Sequence, residues 1–221
     1  MNKAVLVELI EHLHQFDAAH KEQDDYTLRD FVGYLNAQTS GSGVTMRKIE
    51  GGLAPDLQPM RQEHNTDIGI LITLMFRYAK GYIKKALKDS PIQTSDEFAF
   101  LITLMTYESL TKTELINKQV MEKTSGVEVI KRLLQQGMLR EFADDTDKRS
   151  VRVAITPKGK GEIYKVLPEM FKVSKLVTGN LSESEINTLG YLLKKLDLFH
   201  NDIYQHKRGM GLEELLLQGS K

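Results

Sequence analysis

The sequence predicts a mainly α-helical protein carrying one small β-hairpin. Three observations lead there. Helix-opening pairs occur in quick succession at Thr94-x-x-Glu97, Thr111-x-x-Glu114 and Ser125-x-x-Glu128, each a hydroxyl three residues ahead of a Glu that can return a bond to the cap. Two β-type runs, 139–143 and 150–155, then flank a loop too charged to be core. Broad apolar stripes at helical spacing lie on either side, over 66–89 and 183–203.

From the N-terminus, Val5, Leu6, Leu9, Leu13 and Phe16 recur at helical spacing and predict an amphipathic helix over 3–20. A second helix is expected over 27–37, capped by Thr27 or Asp25, with Phe31, Val32 and Leu35 inward. Residues 39–56 are rich in Gly and Ser and read as a linker. The helix over 66–89 carries Ile68, Leu71, Ile72, Met75, Tyr78, Tyr82 and Ile83 on its stripe, and Asp89-Ser90-Pro91 ends it. The three caps then predict helices from Thr94 to Tyr107, Thr111 to Gln119 and Ser125 to Gln136, the last stopped by Gly137. In the return run Val151, Val153 and Ile155 alternate with Ser150, Arg152 and Ala154, giving one buried and one wet face. Residues 158–177 are helical by pattern with a kink expected at Pro168. Ser182-x-x-Glu185 caps a last long helix with Ile186, Leu189, Leu192, Leu193, Leu196 and Phe199 inward, and 207–221 is a tail.

The loop and return strand carry the functional signal. Asp147 and Arg149 precede Val151-x-Val153-x-Ile155, and Thr156-Pro157-Lys158-Gly159 opens the next helix. The string Asp-x-Arg, hydrophobic strand, Thr-x-x-Gly, in register with the upstream helices, resembles the wing of MarR-family transcriptional regulators. The resemblance spans roughly residues 61–206. It implies a winged helix-turn-helix domain over 94–159, dimerisation helices over 66–89 and 158–203, and an N-terminal extension over 1–60. The outer helices of two chains interlock in that family, and the stripes here are wider than one such domain could cover.

The 221 residues hold 30 Lys and Arg against 30 Asp and Glu, with 41% hydrophobic residues. That is the composition of an ordinary soluble protein, and no apolar run approaches the ~18–20 residues needed to span a bilayer. A cytoplasmic location is expected. Cysteine is absent, which excludes disulfides, thiolate metal sites and the thiol peroxide sensing found in part of the family. Charge is unevenly placed: 112–160 has 11 Lys and Arg against 7 Asp and Glu, whereas 1–60 has 5 against 9. The positive excess falls where DNA contact is expected.

On the family pattern, Thr124 and Ser125 take the first positions of a recognition helix, where side chains reach major-groove edges. Lys123 and Lys131 are placed for phosphate. Arg149 is expected in the adjacent minor groove, its guanidinium held by Asp147 and accompanied by Lys148. Arg140 and Arg152, on the strands, are candidates for backbone contact. Two departures stand out. Glu128 replaces the usual donor; it cannot pair with the guanine acceptors and repels phosphate, but can accept from cytosine N4 or close the capping box. Val120 replaces the Gly usual in the turn, and Gly126 inside the recognition helix is expected to weaken it.

The resemblance also implies a small-molecule site between dimer helices and winged domain. Phe76, Tyr78, Tyr82, Phe98 and Tyr107 are the candidates, with His64 nearby, for a small aromatic or phenolic effector. The six histidines form no pair spaced for one helix face, so no metal or other cofactor is expected. No nucleophile motif, phosphate-cradling loop or acid–base cluster points to an enzyme. The expectation is therefore a homodimeric DNA-binding repressor of the bacterial type on a pseudo-palindromic operator, released by an effector. The N-terminal helix is expected to prop the dimer helices. A winged-helix module for protein contact, or a ligand-binding helical protein with little DNA affinity, is the alternative.

Overall fold

The computed structural model describes residues 2–19, 27–39, 63–144, 147 and 149–219. They fall in two compact units, Met1–Arg61 and Gln62–Lys221. In the first, α1 (Lys3–Ala19) pairs with α2 (Leu28–Thr39). The pairing rests on one aromatic knot: Phe16 is buried with its ring centroid 5.4 Å from Phe31 and 5.3 Å from Tyr34. Thr27 precedes α2 as expected, its amide donating to Asp30 Oδ2 at 2.7 Å. Val5, Leu6, Leu9 and Leu13 remain exposed, so the stripe on α1 is not covered within the described residues. Asp25 and nearly all of the linker expected over 39–56 lie outside those residues.

The second unit begins with α3 (Glu63–Ala86), followed by α4 (Ser95–Thr106), β1 (Leu110–Thr111), α5 (Lys112–Lys118) and α6 (Lys123–Gln135). Strands β2 (Leu139–Ala143) and β3 (Val151–Ile155) come next, then α7 (Pro157–Thr178), α8 (Glu183–His206) and α9 (Leu212–Gly219). The three strands form an antiparallel sheet in the order β1-β3-β2. Leu139 faces Ile155 and Ala143 faces Val151 in one ladder, while Leu110 faces Val153 in the other. The expected hairpin is thus two strands of three. A two-residue strand has no alternation to read, so β1 left no trace in the pattern.

Phe100, Leu101 and Leu104 of α4, Leu115 of α5, Ile130 and Leu133 of α6, Val153 of β3 and Ile163 of α7 form the core. Each comes from a helix face or strand face that the sequence pattern marks as apolar, and burying such side chains stabilises the domain by roughly 1.5–3 kcal/mol each. Alternation on β3 holds for Val153 and Ile155, but Ala154 is also only 4% exposed and Val151 is exposed. Ala154 is a small side chain on the central strand, sharing its face with the longer Arg152, and Arg140 lies directly opposite on β2.

Local chemistry departs from expectation at four places. Thr94 caps α4 by accepting from the Glu97 amide at 3.1 Å, but the Glu97 carboxylate bonds the Gln93 amide rather than that of Thr94. Its other oxygen accepts from Arg132 Nε at 2.9 Å, pinning α6 to the start of α4 through a fully buried carboxylate. The Thr111–Glu114 and Ser182–Glu185 boxes form completely. The Ser125–Glu128 box does not: α6 starts earlier, with Glu122 as its cap and no side-chain cap bond. Pro168 deletes one amide from the ladder, yet α7 continues as helix to Thr178. The expected tail contains α9, with Leu212, Leu216 and Leu217 exposed. No described helix is long and apolar enough to cross a membrane.

Gly126 has a different meaning from the one its helix propensity suggests. A Cβ there would lie 2.5 Å from Ile116 Cγ1, so its missing side chain lets α6 close on α5. The Thr-x-x-Gly string works in the same way. A Cβ on Gly159 would stand 2.4 Å from the Met138 carbonyl oxygen. Thr156 accepts from the Gly159 amide at 3.1 Å and donates its hydroxyl proton to the Gly137 carbonyl at 2.8 Å. Lys158 Nζ donates to the Gln136 carbonyl. These contacts dock the N-terminus of α7 onto the turn between α6 and β2.

Candidate nucleic-acid interface

On α6 Gly126, Val129, Ile130 and Leu133 face the core. Helical spacing then forces Thr124, Glu128 and Lys131 outward, with Lys123 and Ser125 exposed in the first turn. Since Glu122 supplies no side-chain cap and the first turn has no acidic residue, the leading amides of α6 keep the unsatisfied, positive character of a helix N-terminus. An uncapped N-terminus beside Lys123 suits a phosphate oxygen. The sequence had suggested a capped helix starting at Ser125, so this feature was not foreseen.

The wing is held by a relay of carboxylates. Asp144, 7% exposed, accepts from Arg152 NH1 through Oδ2 at 2.8 Å and from the Asp147 amide through Oδ1 at 3.3 Å. Asp147 in turn accepts from the Ser150 hydroxyl at 2.7 Å and from the Arg149 amide at 3.0 Å. Those two bonds, the hydroxyl first, hold the Asp147 carboxyl below its ordinary value. The backbone closes with Ser150 N–H donating to the Asp147 carbonyl at 2.8 Å.

This geometry revises two expected roles. Asp147 bonds the backbone amide of Arg149, not its guanidinium, and so shapes the turn that presents Arg149, an exposed residue. Arg152 is a brace: Nε donates to Ser109 Oγ at 2.8 Å and NH2 to the Ser109 carbonyl at 2.9 Å. With Asp144 on its third nitrogen, it ties the base of the wing to the segment entering β1, and Asp144 holds its pKa above the usual value. Arg140 is exposed and stands over the Phe142 ring, 4.8 Å from its centroid. Lys148 lies outside the described residues. Lys112, unforeseen, bridges to Glu141 at 2.7 Å and links α5 to β2.

Residues 94–159 match the winged helix DNA-binding domain family. This is a winged helix domain. The reduced form of MarR from E. coli is 26% identical, with 58% of this chain and 94% of that one aligned at a TM-score of 0.51. A MarR variant from E. coli complexed with operator DNA is 23% identical, with 66% and 99% aligned at 0.56. An organohalide-sensing transcriptional regulator in its 2,4-dichlorophenol-bound form is 21% identical, with 73% and 93% aligned at 0.60. No curated protein matches the chain.

Around the winged helix domain, the residues expected to line an effector site divide. Phe76 and Tyr78 are two positions apart on α3 and therefore point to different faces, both exposed. Tyr82 shares the Tyr78 face. Phe98 packs against the core from α4. Tyr107 is engaged by Lys118, whose Nζ lies 3.1 Å from the phenol oxygen and 4.4 Å from the ring centroid. The side chain of His64 is outside those described. Among the described residues no cluster of His, Asp or Glu could hold a metal ion.

Proposed function

We propose that this chain is a homodimeric, sequence-specific transcriptional regulator that represses from a pseudo-palindromic DNA site. One observation carries the reading: a single domain pairs an exposed, uncapped recognition-helix N-terminus with an Arg-bearing wing. On this reading Thr124 and Ser125 meet base edges and Glu128 accepts from a cytosine amine. Lys123, Lys131 and Arg140 bond phosphates, which fix position without reading sequence. Arg149 enters the flanking minor groove, with Lys148 beside it.

Dimerisation is supported by α8. Its 24 residues bury no side chain in their own chain, yet Ile186, Leu189, Leu193 and Leu196 repeat at the three-and-four spacing of a helix–helix seam. Ile68, Leu71, Ile72 and Met75 leave a second apolar band open on α3. Exposed bands of this length call for a partner. A two-fold dimer then reads half-sites about ten base pairs apart. An effector of small aromatic or phenolic type agrees with the dichlorophenol held by one structural neighbour.

Selection of duplexes from a random pool, followed by a salt titration of the winner, tests the reading. The expected result is an inverted-repeat consensus whose affinity falls steeply with salt. Recovery of no preferred duplex, or salt-independent binding, would refute it.

A further inference from the structure

The end of α8 makes a contact that neither dimerisation nor DNA reading requires. Tyr204 donates its hydroxyl proton to the carbonyl of Met121, 83 positions away in sequence, at 3.1 Å. The Arg208 guanidinium centre lies 3.4 Å from the Tyr204 ring centroid and its Nε donates to the Tyr204 carbonyl at 2.7 Å. Its NH2 approaches Asn117 Oδ1 at 3.5 Å, a bond at the limit of hydrogen-bonding distance. Thus Tyr204 in the last turn of α8 and Arg208 just beyond its end reach both sides of the α5–α6 turn.

That turn is itself strained. Val120 sits at φ +50°, a left-handed conformation that crowds a β-branched side chain and persists only where surrounding contacts enforce it. The Val120 amide bonds the Asn117 carbonyl at 3.0 Å, and the Gln119 side chain donates to Thr103 Oγ1 at 2.7 Å, tying the turn to α4. The Tyr204 bond closes the remaining side, on the carbonyl two residues before α6 begins.

We propose that Tyr204 and Arg208 are positioning residues for the recognition helix, clamping the strained α5–α6 turn to the end of α8. Because α8 is the helix assigned to the dimer seam, a change in its placement is passed to Thr124 and Ser125 through this turn. The proposal rests on the regulator reading above for its consequence on DNA, but the clamp itself does not.

Two charge-preserving variants test it in the full-length protein. Tyr204→Phe removes only the hydroxyl, and Arg208→Lys keeps the charge while losing the fork and the stacked plane. Amide hydrogen exchange over 119–126 without DNA should quicken by about 2–10-fold in each, the range expected for one lost hydrogen bond. Sedimentation should leave the oligomeric state unchanged. Affinity for the selected duplex should fall by about 2–10-fold with the salt slope of the parent, since no phosphate contact is removed. Unchanged exchange in both variants overturns the clamp. Faster exchange with parental affinity overturns its role in recognition, as does a reduced salt slope, which would mark Arg208 as a phosphate ligand. If the parent binds no duplex, the regulator reading falls and the clamp is judged on exchange alone.

Discussion

Replacing Gly126 by Ala sets helix propensity against packing, and the geometry decides the sign. Propensity alone favours the change: an interior Gly costs a helix about 0.5–1 kcal/mol relative to Ala. The new methyl, however, would lie 2.5 Å from Cγ1, 2.9 Å from Cγ2 and 3.0 Å from Cδ1 of Ile116. Two of these atoms are attached directly to the Ile116 Cβ, and Ile116 is buried in the core, so no free rotor can yield. Separating the helices to admit the methyl costs about 1–3 kcal/mol. The balance is a destabilisation of about 0.5–2 kcal/mol. At roughly 2–4 °C per kcal/mol for a chain of this size, the melting temperature should fall by several degrees. Thermal and urea unfolding followed by circular dichroism would measure it. Ile116→Val, costing about 0.5–1.5 kcal/mol in the parent, should cost less in the Ala background, because it relieves part of the clash. An unchanged or raised melting temperature for Gly126→Ala would refute the packing argument and return Gly126 to the role of a weak helix residue.

Other outcomes are equally specific. Arg149→Ala should weaken duplex binding by about 1–3 kcal/mol and leave the melting temperature unchanged, because Asp147 bonds the residue 149 amide whatever its side chain. Arg152→Ala should destabilise the domain by about 2 kcal/mol, below the range for a fully buried pair, since it takes the guanidinium away from the buried Asp144 carboxylate at the wing base while Arg152 itself is 28% exposed; chemical denaturation would register it. Val120→Gly, relieving the left-handed Val, should stabilise by about 0.5–1 kcal/mol in the same assay. Glu114 is held below the ordinary glutamate value of 4.5 by the Thr111 amide and hydroxyl. Its folded value therefore lies below its unfolded one, so its contribution is present above pH 4.5 and is lost as pH falls through the folded value. A pH series of melting temperatures should show that acid limb, and Glu114→Gln should flatten it.

What the chain disclosed on its own was whatever depends on neighbours in sequence. The Thr111 and Ser182 caps, the apolar faces of α4 and α6, and the wing strands all follow from short-range spacing, since a helix turn or a ladder step involves residues a few positions apart. The Thr156-to-Gly159 string was legible as a pattern, but its cause was not: Gly159 is required by a carbonyl 21 positions upstream. Arg149 at the wing tip was likewise visible as an exposed charge in a polar loop.

Tertiary structure alone decided the rest, because it joins groups with no fixed separation along the chain. Glu97 looked like the second half of a cap and became the buried partner of Arg132. Arg152 looked free on a wet strand face and became a brace for Ser109 and Asp144. Gly126 looked like a defect and proved to be the place where two helices meet, while Tyr204 stood in a helix with no signal that its hydroxyl would find Met121. Periodicity states which side of an element avoids water; only three-dimensional packing states which distant atom that side will touch, and a donor or a missing methyl acquires its role from that atom.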